Sequence, residues 1–88
     1  MSNITPGDTV TPRHSRARLH RDNPNNRPYR PIVEVEAPGK WLEAGQTATI
    51  RRTWTTADST KLYGQTDLGN WWVLLKDNTT GLEPVKVV

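Results

Sequence analysis

The sequence predicts an all-β domain, a small barrel of five to seven short strands carrying an irregular Arg- and Pro-rich N-terminal region. Three observations lead there. No stretch of the 88 residues has apolar side chains at helical spacing over ten positions. Six Gly and seven Pro punctuate the chain often, leaving only short runs between turns. Thr and Arg are abundant and Leu sparse, and four Trp and two Tyr supply large buried areas in a chain only 33% hydrophobic. Such a length makes one domain, with a core near the lower limit for independent folding. Residues 1–9 form a lead-in and residues 10–88 the barrel.

Taken in order, Pro6-Gly7 opens a first strand, Asp8 to Thr11, which Pro12 ends or marks as an edge. Ala17 to His20 forms a short extended piece. Residues 21–31 form a polar loop, because Pro24, Pro28 and Pro31 forbid both a helix and a central strand. Ile32-Val33-Glu34-Val35-Glu36 alternates apolar and acidic side chains, a half-buried strand stopped by Pro38-Gly39. Trp41 to Gly45 is a turn into a long strand, Gln46 to Trp54, in which Ala48, Ile50 and Arg52 alternate with Thr47, Thr49 and Arg51. A hairpin loop at Thr55 to Thr60 leads into Lys61 to Thr66. Asp67 to Asn70 turns, Trp71 to Leu75 follows, Lys76 to Gly81 turns again, and Leu82 to Val88 closes the chain.

Gly7-Asp8-Thr9-Val10-Thr11-Pro12-Arg13 matches Gly45-Gln46-Thr47-Ala48-Thr49-Ile50-Arg51 at four of seven positions. Nothing else aligns at that 38-residue offset, so shared turn-into-strand chemistry accounts for it better than a repeat. Asn3-Ile4-Thr5 and Asn78-Thr79-Thr80 match the glycosylation acceptor pattern. Without a secretion signal both are read as chance.

The chain lacks Cys, which excludes a disulfide framework and a thiolate metal site. No apolar run approaches the roughly 20 residues that span a bilayer, and Met1 to Pro6 lacks the pattern of a signal peptide. Synthesis in the cytoplasm is therefore expected, with the compartment of action open; a phage virion or release at lysis would both fit. The net charge of +3 comes wholly from residues 1–40, where six Arg and Lys40 face four acidic residues. Arg16, Arg18, Arg21, Arg27 and Arg30 are the candidate electrostatic contacts, and Arg16 and Arg18 have the period-2 spacing of one strand face.

Catalysis finds little support. His14 and Ser15 are adjacent and so point to opposite sides of any strand, and no acidic cluster accompanies His14 and His20. Glu34 and Glu36 alternate with Val33 and Val35 as the solvent face of an amphipathic strand does. No catalytic, cofactor-binding or metal-ligating residue is assigned. The aromatic residues carry more. Trp71 and Trp72 are neighbours, so Trp72 with Leu74 takes one face of its strand and Trp71 with Val73 and Leu75 the other. Pattern alone does not say which is core. Trp71, Tyr63, Trp54 and Tyr29, with Asn70, are the candidate lining of a groove that stacks on sugar rings or grips a peptide.

Several segments together resemble the bacterial Src-homology-3-like domains of the cell-wall-targeting type. Ala17 to Pro24 is similar to the short strand leading into a Pro-containing loop, and Leu42-Glu43-Ala44-Gly45 to the Leu-x-x-Gly turn before the next strand. Tyr63-Gly64-Gln65-Thr66 through Gly69-Asn70-Trp71-Trp72-Val73 resembles the Gly-x-Trp segment, and Thr80-Gly81-Leu82 the closing Gly-Trp-Val, with Leu82 in place of the aromatic. The resemblance covers roughly Val10 to Val87. It implies an SH3-like barrel and a non-catalytic module that binds peptidoglycan or short peptides. A structural or assembly protein, such as a phage virion or adaptor component whose Arg/Pro-rich arm docks on neighbouring subunits, is the alternative expectation. A nucleic-acid-binding barrel is the third.

Overall fold

The computed structural model describes residues 4–22, 32–33, 40–69 and 71–88, with residues 22, 32 and 33 described in their backbone only. All the described regular structure is β, as the sequence predicts. The strands are β1 (Thr9–Pro12), β2 (Arg16–Asp22), β3 (Ile32–Val33), β4 (Lys40–Glu43), β5 (Ala48–Thr55), β6 (Lys61–Thr66), β7 (Trp71–Asp77) and β8 (Val85–Val87). Seven have three or more residues; β3 is a two-residue fragment. They form one antiparallel sheet in the order β3-β2-β7-β6-β5-β1-β8, with β4 also paired to β2. The sheet curls so that one face closes on the core.

That core holds Ile4, Val10, Ala17, Leu19, Leu42, Ala48, Ile50, Val73, Leu75 and Val85. Residues from six strands and the lead-in thus meet on the inner face, and burial of their apolar surface is the main stabilising force. Ile4 belongs to it from outside any strand. The Gly7 amide donates to the Ile50 carbonyl at 2.7 Å and pins the lead-in against β5. Gly7 and Gly45, the glycines of the matched heptads, have φ of +98° and +86°, a conformation that favours glycine, and each precedes a strand. The two heptads pair with each other, Thr9 opposite Thr49 and Val10 opposite Ala48.

Three local expectations are corrected. Trp41-Leu42, expected in a turn, lie within β4, because Leu42 and Trp41 pair with Ala17 and Arg18 of β2. The turn is confined to Ala44-Gly45, closed by the Gln46 amide donating to the Glu43 carbonyl at 3.0 Å. Arg21-Asp22, expected to begin the loop, extend β2, where Arg21 is paired with Trp71 on one side and Val33 on the other. The rest of the predicted 21–31 loop, and residues 34–36 of the predicted Ile32 to Glu36 strand, lie outside the described residues.

The third correction concerns β5. Its pairing with β6 jumps from Ile50↔Thr66 to Arg52↔Gln65, so an extra residue is inserted at Arg51. This β-bulge reverses the facing of everything beyond it. Ala48 and Ile50 face the core as expected, but Arg52 and Trp54 face outward. The hairpins themselves follow local chemistry. Asp58 accepts from the Thr56 and Thr60 hydroxyls at 2.7 Å each and from the Thr60 amide at 3.1 Å. Asp77 accepts from the Thr79 amide at 2.9 Å and its hydroxyl at 2.6 Å. These hydrogen bonds favour the ionised carboxylates, holding Asp58 at about 2 and Asp77 below its ordinary value.

Candidate functional site

The outer face of the sheet carries a second layer of side chains. Alternation along β2 turns Ala17 and Leu19 into the core and sends Arg16, Arg18 and His20 outward. On β7, Trp71, Val73 and Leu75 face or flank the core, so Trp72 and Leu74 face out. On β6, Gly64 and Thr66 turn inward and Tyr63 and Gln65 outward, opposite Leu74 and Trp72. Beyond the bulge β5 adds Arg52 opposite Gln65 and Trp54 opposite Tyr63. On β4, Trp41 is opposite Arg18. One transverse row therefore reads His20, Trp72, Gln65, Arg52 across four strands.

This layer is packed ring against ring and cation against ring. Tyr63 lies between two partners, stacked on Trp54 with centroids 5.8 Å apart and edge-on to His20 at 5.4 Å. The Arg52 guanidinium is 5.5 Å from the Trp72 ring centre, and the Arg16 guanidinium is 4.0 Å from that of Trp41. Both distances lie within cation–π range, worth about 0.5–1 kcal/mol at exposed sites and more when desolvated. Trp72 is 1% exposed and Tyr63 4%, whereas Trp54 is half-buried and Trp41 is 36% exposed. The rings most open to solvent therefore stand at opposite edges of the layer, on β4 and β5.

The paired indoles divide in an unexpected way. Trp71 is the core-side residue, yet it sits at the rim, half-buried against the core with the Lys40 ammonium 5.6 Å from its ring. Trp72 faces away from the core and is the more deeply buried. Of the predicted groove, Tyr63 and Trp54 come together, while Trp71 lies on the other face; Tyr29 and Asn70 lie outside the described residues. Among the predicted electrostatic contacts, Arg16 and Arg18 share the outer layer, and Arg21, one residue before the end of β2, is exposed with the opposite parity. Arg27 and Arg30 also lie outside the described residues.

Trp41, Trp72, His20 and Arg52 belong to the layer without having been singled out for a site. The Arg16-x-Arg18-x-His20 alternation signals the β2 contribution, but the Arg52 and Trp54 facing depends on a bulge that no local pattern announces. Elsewhere, Arg13, His14, Thr80, Gly81, Leu82 and Glu83 line a shallow open depression beside the β7–β8 turn. Among the described residues no three His, Cys, Asp or Glu side chains converge as a metal site would require. No described helix is long and apolar enough to cross a membrane. The chain matches no protein-family profile, no curated protein and no solved structure.

Proposed function

We propose that this chain is a non-catalytic binding module that recognises cell-wall glycan, its peptide, or a short protein peptide through the outer aromatic face. The observation that carries the reading is the layer of Trp41, Trp72, Tyr63 and Trp54 on the side of the sheet opposite the core. A small barrel needs one apolar face, and a second layer of rings beyond it adds contact area of the kind binding surfaces use. The open edges of Trp41 and Trp54 supply that area, and the buried Tyr63 stacked on Trp54 holds that ring in place.

The resemblance to bacterial Src-homology-3-like domains supports the same reading. Leu42 to Gly45 ends β4 and turns toward β5, Gly69 precedes β7, and Gly81-Leu82 precedes β8.

The test is co-sedimentation with purified peptidoglycan sacculi, together with an array of short peptides. Trp41→Ala and Trp54→Ala together should abolish capture while the thermal midpoint moves by only a few degrees. Undiminished capture by the double variant would remove the aromatic face from the reading. Light scattering that finds stable oligomers and no capture would favour the assembly role instead.

A further inference from the structure

The rings of the outer layer are already engaged, and two of them hold a cation. Arg16 lies over Trp41 and Arg52 over Trp72. Both arginines are exposed, and among the described residues neither guanidinium has a carboxylate partner. Glu43, directly across from Arg16, makes no ion pair with it. A guanidinium laid on an aromatic face loses little further freedom when its edge forms hydrogen bonds, and that edge matches a carboxylate bidentately. Resting on the module reading above, we propose that the ligand of this face is an acidic peptide in extended conformation, its carboxylates taken by Arg16 and Arg52.

Geometry sets the spacing. Arg16 lies four residues before His20 on β2, about 13 Å along the strand, and His20 is three strands from Arg52, about 14 Å across. The diagonal is roughly 19 Å, which an extended peptide covers in about six residues. Stacked nucleobases fit less well. They need open ring faces, yet Trp41 carries Arg16, Trp54 carries Tyr63, and Trp72 and Tyr63 are buried. An uncharged glycan leaves the two guanidinium edges without a complementary partner.

Calorimetric titration with four probes tests this: the peptide (Glu-Thr)5, its amide analogue (Gln-Thr)5, the oligonucleotide dT10 and peptidoglycan sacculi by co-sedimentation. Expected is binding of (Glu-Thr)5 and not of (Gln-Thr)5. Arg16→Gln and Arg52→Gln should each weaken it by about tenfold. Arg51→Gln, which removes the same charge from an exposed position that is stacked on no ring, should weaken it less than about twofold. Equal losses for all three variants would overturn the proposal, because general charge would then suffice. Tighter binding of dT10 would overturn it in favour of nucleic acid. Capture by sacculi that depends on Trp41, with no binding of (Glu-Thr)5, would leave the module reading standing and remove the acidic ligand. Failure of all four probes would remove both.

Discussion

Gly64 sits in the middle of β6 facing the core, where a single added methyl group would meet a filled space. A Cβ built there lies 3.0 Å from Ile50 Cδ1, 3.0 Å from Leu75 Cδ1 and 3.1 Å from Ile50 Cγ2. Carbon pairs are comfortable at about 3.5–4.0 Å, so each neighbour would have to retreat by roughly half an ångström. Ile50 is fully buried and Leu75 is 2% exposed, which leaves little room for retreat. The β-branched Ile50 is also stiff about χ1. Overpacking of this kind costs about 1–3 kcal/mol. Against it stands a gain of about 0.5–1 kcal/mol from removing glycine's freedom in the unfolded chain. The midpoints differ by about 1.25 kcal/mol, which for a domain of this size lowers the melting temperature by about 5–10 °C. Thermal melts followed by circular dichroism, with urea midpoints at unchanged m-value, would measure it for Gly64→Ala. Ile50→Val removes Cδ1, so in the double variant the two costs should sum to at least about 0.5 kcal/mol less than additivity. An alanine variant as stable as the parent, or strict additivity with Ile50→Val, would refute the tight β6 packing described here.

Further outcomes follow from other parts of the fold. Trp72→Ala should destabilise by about 3–5 kcal/mol despite facing away from the core, whereas Trp41→Ala should cost less than about 1 kcal/mol; urea unfolding of the pair separates burial from exposure. Thr66 is fully buried, its hydroxyl donating to the Trp71 carbonyl at 2.8 Å and accepting from the Leu68 amide at 3.2 Å. Thr66→Val leaves both backbone groups without that partner and should cost about 1–3 kcal/mol by the same measurement, with Thr66→Ser recovering part of it. The folded state holds the Asp58 carboxyl at about 2, below its ordinary 3.8, and lowers Asp77 as well. Their contribution to stability is therefore complete above about pH 4 and fades as the pH falls through the range toward 2. Melting temperature between pH 5 and pH 2 should fall less steeply for Asp58→Asn than for the parent; parallel curves would exclude the turn as a source of acid sensitivity.

Much of the fold was legible because turns are local. Asp58 with its flanking Thr, Gly69, and Gly81 each act on residues within a few positions, so the Lys61 to Thr66 strand emerges from the sequence with its observed bounds. The all-β class follows from the same short punctuated runs. What the sequence could not place depends on partners far along the chain. Trp41-Leu42 looked like a turn until Ala17 and Arg18, more than twenty residues earlier, paired with them. The extra residue at Arg51 becomes a bulge only against the register of β6, and that one-residue slip sends Arg52 and Trp54 to the outer face, with Trp72 and Tyr63. The alternation of Trp71 and Trp72 put them on opposite faces correctly, yet parity does not determine burial. The core-side indole reached only the rim, and the outer one was covered. Side-chain direction is a property of the local backbone, which the sequence pattern carries. Burial depends on what else arrives at that place, and only the folded sheet decides it.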